Sequence, residues 1–189
     1  MARGIVRWVL LSIVVVLGVM TVLFLRGPAF WQRQYYPLRY EAQIADSAAR
    51  HKVNPELVAA VINAESSWKA DTLSSAGAVG LMQVLPSTAE DLARRGQVDA
   101  KRYPPGALSE PDVNIEYGTA YLRYLVGRYH EVETALAAYN AGLRHADEWA
   151  AKGGNIRTAI AFPETKHYVL RVMRGKDRYH ELYPDAFSR

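Results

Sequence analysis

The segment PELVAAVINAESSW, Pro55 to Trp68, decides how the chain is read. Asn54 and Pro55 form a helix N-cap followed by proline at the first helical position. Leu57, Val61 and Ala64 then recur at helical spacing, which predicts a helix with an inward stripe ending near Glu65. Glu65 lies four residues after Val61 and eight after Leu57, so it shares the apolar face. No lysine or arginine precedes it within two turns. A carboxyl in that setting loses hydration, and desolvation raises its pKa toward the range a general acid needs near neutral pH. The spacing alone leaves two readings open. Glu65 is either a catalytic acid or a helix-terminal glutamate capped by backbone N–H groups.

Outward from this helix the pattern stays helical. Tyr40–His51 carries Ile44 and Ala48 on one stripe, whereas Ser66–Pro86 lacks a helical period and holds Gly77 and Gly80. That stretch is expected to be a long ordered loop with room for short strands. Ser87-Thr88-Ala89-Glu90 reads as a capping box opening a helix that stops at Gly96. After a loop over Gly106–Pro111, Val113–Tyr129 predicts a long helix with Ile115, Ala120, Leu122 and Leu125 as core candidates. Further helices are expected around Thr134–Asn140, Ala146–Ala151 and Glu164–Arg174. Residues 40–189 therefore read as one mainly α domain with a short strand or loop region.

The N-terminus reads differently. Trp8 to Leu25 is an uncharged run of 18 residues bracketed by Arg7 and Arg26. As a helix it spans ~27 Å, close to the ~30 Å of a bilayer core. A cleaved signal peptide would have a shorter apolar core and a small-residue cleavage site. The run ends instead in FLRGPAFW, so residues 1–26 are expected to be an uncleaved signal anchor. Residues 27–39, GPAFWQRQYYPLR, read as a juxtamembrane linker, with Trp31, Tyr35 and Tyr36 suited to the headgroup level or to packing on the domain. Arg3, Arg7 and the α-amino group stand against Arg26, Arg33 and Arg39, so charge leaves the orientation tied.

Composition excludes several functions. The chain has 189 residues and no cysteine, which removes disulfides, thiolate metal sites, a cysteine nucleophile and a lipidated cysteine anchor. Its net charge of +4 owes much to the anchor; beyond residue 26 there are 20 basic and 19 acidic side chains. Such a balance offers no electrostatic footprint for nucleic acid. The five histidines show no H-E-x-x-H or other ligand spacing, so neither a metal nor a cofactor is expected.

AESSW at Ala64–Trp68, GLMQ at Gly80–Gln83, AYNAG at Ala138–Gly142 and PETKHYV at Pro163–Val169 occur in that order. Together they resemble the catalytic domain of lytic transglycosylases, a lysozyme-like module related to goose-type lysozyme, over about Ala42 to Tyr183. The resemblance implies an α+β, lysozyme-like fold. It also implies cleavage of the β-1,4 bond between N-acetylmuramic acid and N-acetylglucosamine in peptidoglycan, leaving a 1,6-anhydro ring. Glu65 matches the glutamate that serves as acid and then as base, and the substrate's acetamido group is thought to assist in place of a second carboxylate. Asp71, the one acid between Ser66 and Thr88, matches no catalytic carboxylate of the family.

By the same resemblance, Ser74, Gly80, Gln83, Tyr139 and Glu164 are candidate substrate-binding residues. Ser74 would bond near the acetamido group, Gly80 would allow close backbone approach, and Tyr139 would point its hydroxyl at the catalytic carboxyl. Asn140 would support the fold through backbone hydrogen bonds. Met82 and Trp68 are expected in the core, and Thr165 and Lys166 to cap and solvate a helix. Leu85 departs from a methionine common in relatives, and Leu143-Arg144-His145 replaces a usual Pro-Gly after AYNAG, which puts the local turn in doubt. The expected partner is the peptidoglycan glycan strand, met on the extracytoplasmic side of the cytoplasmic membrane. Two alternatives remain at this point: a muramidase of the same fold that adds water, and a non-catalytic wall-binding or assembly protein.

Overall fold

Residues 2–26 and 29–187 are described in a computed structural model of the chain. They fall into two units, Met1–Pro37 and Leu38–Arg189. In the first, α1 spans Ala2–Arg26, and its stretch Val6–Leu23 is long and apolar enough to cross a membrane, with none of it buried against protein. Ala29–Tyr35 forms a short helix, α2, inside the expected linker. Gly27 and Pro28, where that linker opens, lie outside the described residues, as do the chain ends Met1, Ser188 and Arg189.

The second unit is mostly helical, in the order α3 (Glu41–His51), α4 (Pro55–Ser66), α5 (Pro86–Arg94), a 3₁₀ turn (Pro105–Ala107), α6 (Pro111–Tyr129), α7 (Val132–Ala141), α8 (Leu143–Ala150), α9 (Ile156–Ala159) and α10 (Pro163–Leu182). At the start of α4 the Asn54 side chain accepts from the Leu57 N–H at 2.8 Å, and Pro55 takes the first helical position, as the sequence predicts. The helix is buried on every side from Leu57 to Ile62, not only along a stripe, because α10 and α3 both pack on it. The second central helix is α6, whose Ile115, Ala120, Leu122 and Leu125 are all buried against its neighbours α3, α5 and α7.

Several expected boundaries move. The tetrad Ser87–Glu90 does not cap α5; Leu85 stands at the N-cap without a side-chain bond and Pro86 opens the helix. Proline already lacks the N–H that a cap would satisfy, so the helix starts one residue before the tetrad. Helix α8 begins at Leu143, directly after Gly142, which is where the family's usual Pro-Gly turn is replaced. The short α9 was not foreseen, and α10 runs on to Leu182. Thr165 does not cap α10; it is buried and donates to the Asn140 side chain at 2.8 Å. In the long loop, two isolated antiparallel bridges, Leu73 with Val79 and Val79 with Val84, stand where short strands were allowed for.

One buried ion cluster ties α3 to α6. Glu116 is 3% exposed and receives the Arg50 guanidinium at 2.7 Å and the His51 ring at 2.9 Å. Burial pushes its carboxyl up, but the hydrogen bonds from His51 and Arg50 overcome that and hold it at about 2, below its ordinary 4.5. A lowered carboxyl contributes stability that is present above about pH 4.5 and is lost as pH falls through about 2. Glu116→Ala is expected to destabilise the chain by ~2–4 kcal/mol at neutral pH. It should also flatten the loss of stability on acidification. Urea unfolding at neutral and acidic pH measures both, and equal stability of the two chains at neutral pH would overturn the assignment.

Candidate active site

Glu65 sits in the last turn of α4, where the chain leaves the helix abruptly. Ser67 and Trp68 both take left-handed conformations, with φ of 50° and 67°, an unusual pair for non-glycine residues. Trp68 holds this turn by burying its ring and donating its indole N–H to the Tyr179 hydroxyl at 3.0 Å. It therefore packs in the core, as expected of it. The turn leaves Glu65 half-buried. Burial drives that carboxyl from 4.5 to about 7, against the opposing pull of the Tyr168 hydroxyl and the Arg171 guanidinium.

Neither opposing group was singled out in the sequence. Both lie on α10, one turn apart, and reach the end of α4 across the most extensive helix contact in the domain. Arg171 also donates to the Ala64 carbonyl at 3.4 Å. The Tyr168 hydroxyl is fully buried and lies beside Glu65, so burial, then the Glu65 charge, push its own pKa well up. A spacing of three residues on a helix was the available signal, but nothing in the sequence said which face of α10 meets α4.

The loop 72–84 reaches the site through Met82, whose carbonyl is held by Tyr139 near Glu65, and Asn114 of α6 governs this loop. Its Oδ1 accepts from the Met82 N–H at 2.7 Å, while its Nδ2 donates to the carbonyls of Val79 and Leu108, each at 2.8 Å. Gly80 is buried against this amide at φ +78°, and a Cβ there would lie 2.3 Å from Asn114 Nδ2. The glycine thus lets the loop backbone lie close against the Asn114 amide. Gly118, four residues beyond Asn114, leaves room for the buried Met82 side chain.

The remaining candidates divide between ties and open groups. Gln83 donates from Nε2 to the carbonyls of Thr72 (3.1 Å) and Gly80 (2.9 Å), which fixes its amide orientation and leaves Oε1 as an acceptor. Ser74 Oγ accepts from the Ala78 N–H at 2.9 Å and keeps its own proton to donate. The Tyr139 hydroxyl donates to the Met82 carbonyl at 2.7 Å, so toward Glu65 it presents only lone pairs. Burial, then the Glu65 charge, hold it well above the ordinary tyrosine range and therefore protonated. Asn140 is exposed and accepts from Thr165, a side-chain bond in place of the expected backbone bonds. Glu164 is exposed in the first turn of α10, and Asp71 is exposed on the loop. Among the described residues, no group of three or more histidines or acids comes together to hold a metal.

A family model described as the transglycosylase SLT domain matches residues 43–161. The soluble lytic murein transglycosylase of Salmonella typhimurium is 32% identical over 155 residues, covering 78% of this chain and 24% of the relative. A membrane-bound lytic murein transglycosylase C of Actinobacillus pleuropneumoniae is 34% identical over 159 residues, covering 83% and 39%. The crystal structure of the 70 kDa soluble lytic transglycosylase of Escherichia coli superposes with a TM-score of 0.74 at 27% identity, covering 84% of this chain and 26% of that one. The chain spans about a quarter of the length of the soluble relatives it matches.

The Asn114 clamp predicts a local failure on its removal. Asn114→Ala strands one backbone donor and two carbonyls and should cost at least ~2 kcal/mol. Asn114→Asp keeps the acceptor for Met82 but loses both donations. Both variants should speed amide hydrogen exchange at Met82 while the α4 amides stay protected. Unchanged exchange at Met82 would show that Asn114 does not hold the loop.

Proposed function

This chain belongs to the transglycosylase SLT family, and from that premise we propose that it is a membrane-anchored peptidoglycan lytic transglycosylase. The observation that carries the reading is the Glu65 carboxyl, held at about 7 by burial at the foot of a helix beside the Tyr168, Arg171 and Tyr139 side chains. Near neutral pH such a carboxyl is populated both as acid and as base. Protonated Glu65 gives its proton to the glycosidic oxygen between N-acetylmuramic acid and N-acetylglucosamine as the bond to the anomeric carbon breaks. The resulting carboxylate then takes the proton of the muramic 6-hydroxyl, whose oxygen bonds to the anomeric carbon and closes the 1,6-anhydro ring. No water is consumed, and Glu65 ends protonated.

The substrate-binding residues follow from the open valences. Ser74 has a hydroxyl proton to donate and Gln83 has Oε1 to accept, which suits an acetamido group and sugar hydroxyls. Tyr139 ties the Met82 loop to α7 beside Glu65, and Asn140 supports that tie through Thr165. Glu164, exposed on α10, meets a more distant part of the sugar. The domain limits proposed are an anchor over residues 1–26, a linker over 27–39 and a catalytic domain over 40–189. The catalytic domain faces the extracytoplasmic side of the cytoplasmic membrane, where the polymer lies.

Glu65→Gln keeps the shape but cannot supply the proton, and is expected to lower glycan cleavage by ~10²–10⁴-fold or more with binding retained. Mass spectrometry of the wild-type digest should show anhydro-muramic ends, one water lighter than reducing ends. A majority of reducing ends would replace this reading with a muramidase that adds water. Activity should fall as pH rises through about 7, since the first step needs the protonated carboxyl. The raised pKa also means that Glu65 favours the folded state most below its unfolded value of 4.5 and loses that contribution as pH rises through about 7. Glu65→Gln should therefore gain stability relative to the wild type under alkaline conditions.

Orientation has its own test. In spheroplasts, added protease should digest the catalytic domain, and the mature chain should retain Trp8–Leu25. A domain that resists protease until the membrane is lysed would reverse the topology.

A further inference from the structure

Charge is unevenly spread over the domain. Beyond residue 26 the 20 basic and 19 acidic side chains nearly cancel, yet one recess gathers cations alone. This cavity of about 560 Å³ lies between the end of α3 and one side of α6, with Arg50, Lys52, Arg123, Tyr124 and Arg128 in its lining. Among the described residues no aspartate or glutamate lines it. Acids reach two of the four cations from outside: Glu116 holds Arg50 at 2.7 Å and Asp147 holds Arg128 at 2.9 Å. Each guanidinium keeps N–H groups beyond those it uses. Lys52 and Arg123 are exposed, and among the described residues neither side chain has a hydrogen bond or ion pair. Two unpaired cations between two pre-oriented arginines attract an anion, and the forked guanidinium suits a phosphate.

The recess stands apart from the catalytic residues. Ala120, Arg123, Tyr124 and Gly127 line it and recur at spacings of three and four along α6, so they share one face. Asn114 and Gly118, which carry the 72–84 loop, lie on another face, roughly 150° round the helix at ~100° per residue. An anion seated in the recess therefore leaves Glu65, Ser74 and Gln83 open to a glycan strand. The recess suits a ligand other than the polymer being cut.

We propose that this basic recess docks the domain on anionic phospholipid headgroups of the membrane in which α1 is anchored. The proposal rests on the anchored reading above. Residues 27–40 link α1 to α3, at no more than ~3.6 Å each, so the domain meets that bilayer at a high effective concentration. Under that condition weak headgroup contacts suffice, since each lysine or arginine near an anionic surface raises occupancy ~5-fold. Tyr124, half-buried beside these cations, presents the amphipathic ring favoured at headgroup level. Docking holds the cleft at a fixed distance from the bilayer, so strands next to the membrane are cut in preference to distant ones.

The chain has no cysteine, so one introduced thiol carries a fluorophore to a chosen place. Ala49→Cys sits on the exposed surface of α3 beside Arg50 and outside the recess lining, whereas Asp177→Cys sits on α10, which is absent from that lining. The full chain is reconstituted into phosphatidylcholine vesicles, or into vesicles that also contain phosphatidylglycerol, each with a headgroup spin-labelled lipid as quencher. Phosphatidylglycerol should increase quenching at position 49 and not at position 177, and the increase should fade between ~50 and ~500 mM salt. Lys52→Glu/Arg123→Glu should lower the docked-to-free ratio at least ~10-fold; should that pair disturb the fold, Lys52→Gln and Arg123→Gln singly should each lower it in the same direction. Quenching at position 49 that ignores phosphatidylglycerol, equal gains at both positions, or charge variants that dock like the wild type would overturn the proposal. So would a wild type that binds a soluble poly(glycerol phosphate) through Lys52 and Arg123 but leaves the label unquenched on anionic vesicles. Retention of the chain by uncharged vesicles reports on the anchor, and peptidoglycan cleavage in detergent, unchanged in the charge variants, reports on the transglycosylase reading, so each can fail independently.

Discussion

A single buried amide, Asn114, holds an irregular loop in one shape where it meets the Tyr139 hydroxyl. The loop 72–84 has two isolated bridges and no ladder to hold it, so its backbone groups need partners from elsewhere. Asn114 supplies three bonds from one side chain, which exhausts the donors of its amide and fixes its rotamer. The consequences spread outward. Gly80 must lack a side chain to lie against the amide, Gly118 must lack one to admit Met82, and the Met82 carbonyl is then placed to receive Tyr139. Gln83, at φ 48°, completes the turn by bonding back to the loop carbonyls. Without the amide each of these would face a choice between water and a different conformation.

Much of this scaffold could be read in the sequence, and the reasons for success and failure are physical. The cap Asn54-Pro55 and the inward positions of α4 and α6 were legible because local chemistry and period agree there. The capping tetrad at Ser87–Glu90 misled because Pro86 starts the same helix by a competing local rule. Asn114, in α6, gave no signal, since a polar residue inside a helical pattern looks like a solvated position until the tertiary contact is known. Tyr168 and Arg171 were illegible for the same reason: their distance from Glu65 is over a hundred residues in sequence and is closed only by the packing of α10 on α4. Gly80 was legible as a point of close backbone approach, but a sequence shows that a side chain is missing and not what fills the space, here the Asn114 amide.

The two glutamates on buried helix faces start from the same ordinary value and are driven apart. Both are penalised by burial. Glu116 meets the His51 ring and the Arg50 guanidinium on α3, and its charge becomes the favoured state. Glu65 meets a phenol and one guanidinium near the helix end, too little to repay desolvation, and its neutral state persists to about 7. Glu116 therefore stabilises the fold by being charged, whereas Glu65 weakens it whenever it is charged. That opposition is what a site for acid catalysis requires, since a carboxyl comfortable as an anion would be a poor proton donor.

The same opposition bounds the conditions under which the domain can work. Acidification populates protonated Glu65 but removes the charge of Glu116 and, with it, the tie between α3 and α6. Alkalinity leaves that tie intact and takes the proton from Glu65. The span from Glu116 near 2 to Glu65 near 7 is set by how far hydrogen bonds and charge offset burial at each carboxyl. Moving a cation toward Glu65 would lower its pKa and stabilise the anion, which strengthens the fold and withdraws the acid in one step. Stability and proton donation therefore compete at the Glu65 carboxyl, where burial outweighs the Tyr168 hydroxyl and the Arg171 guanidinium.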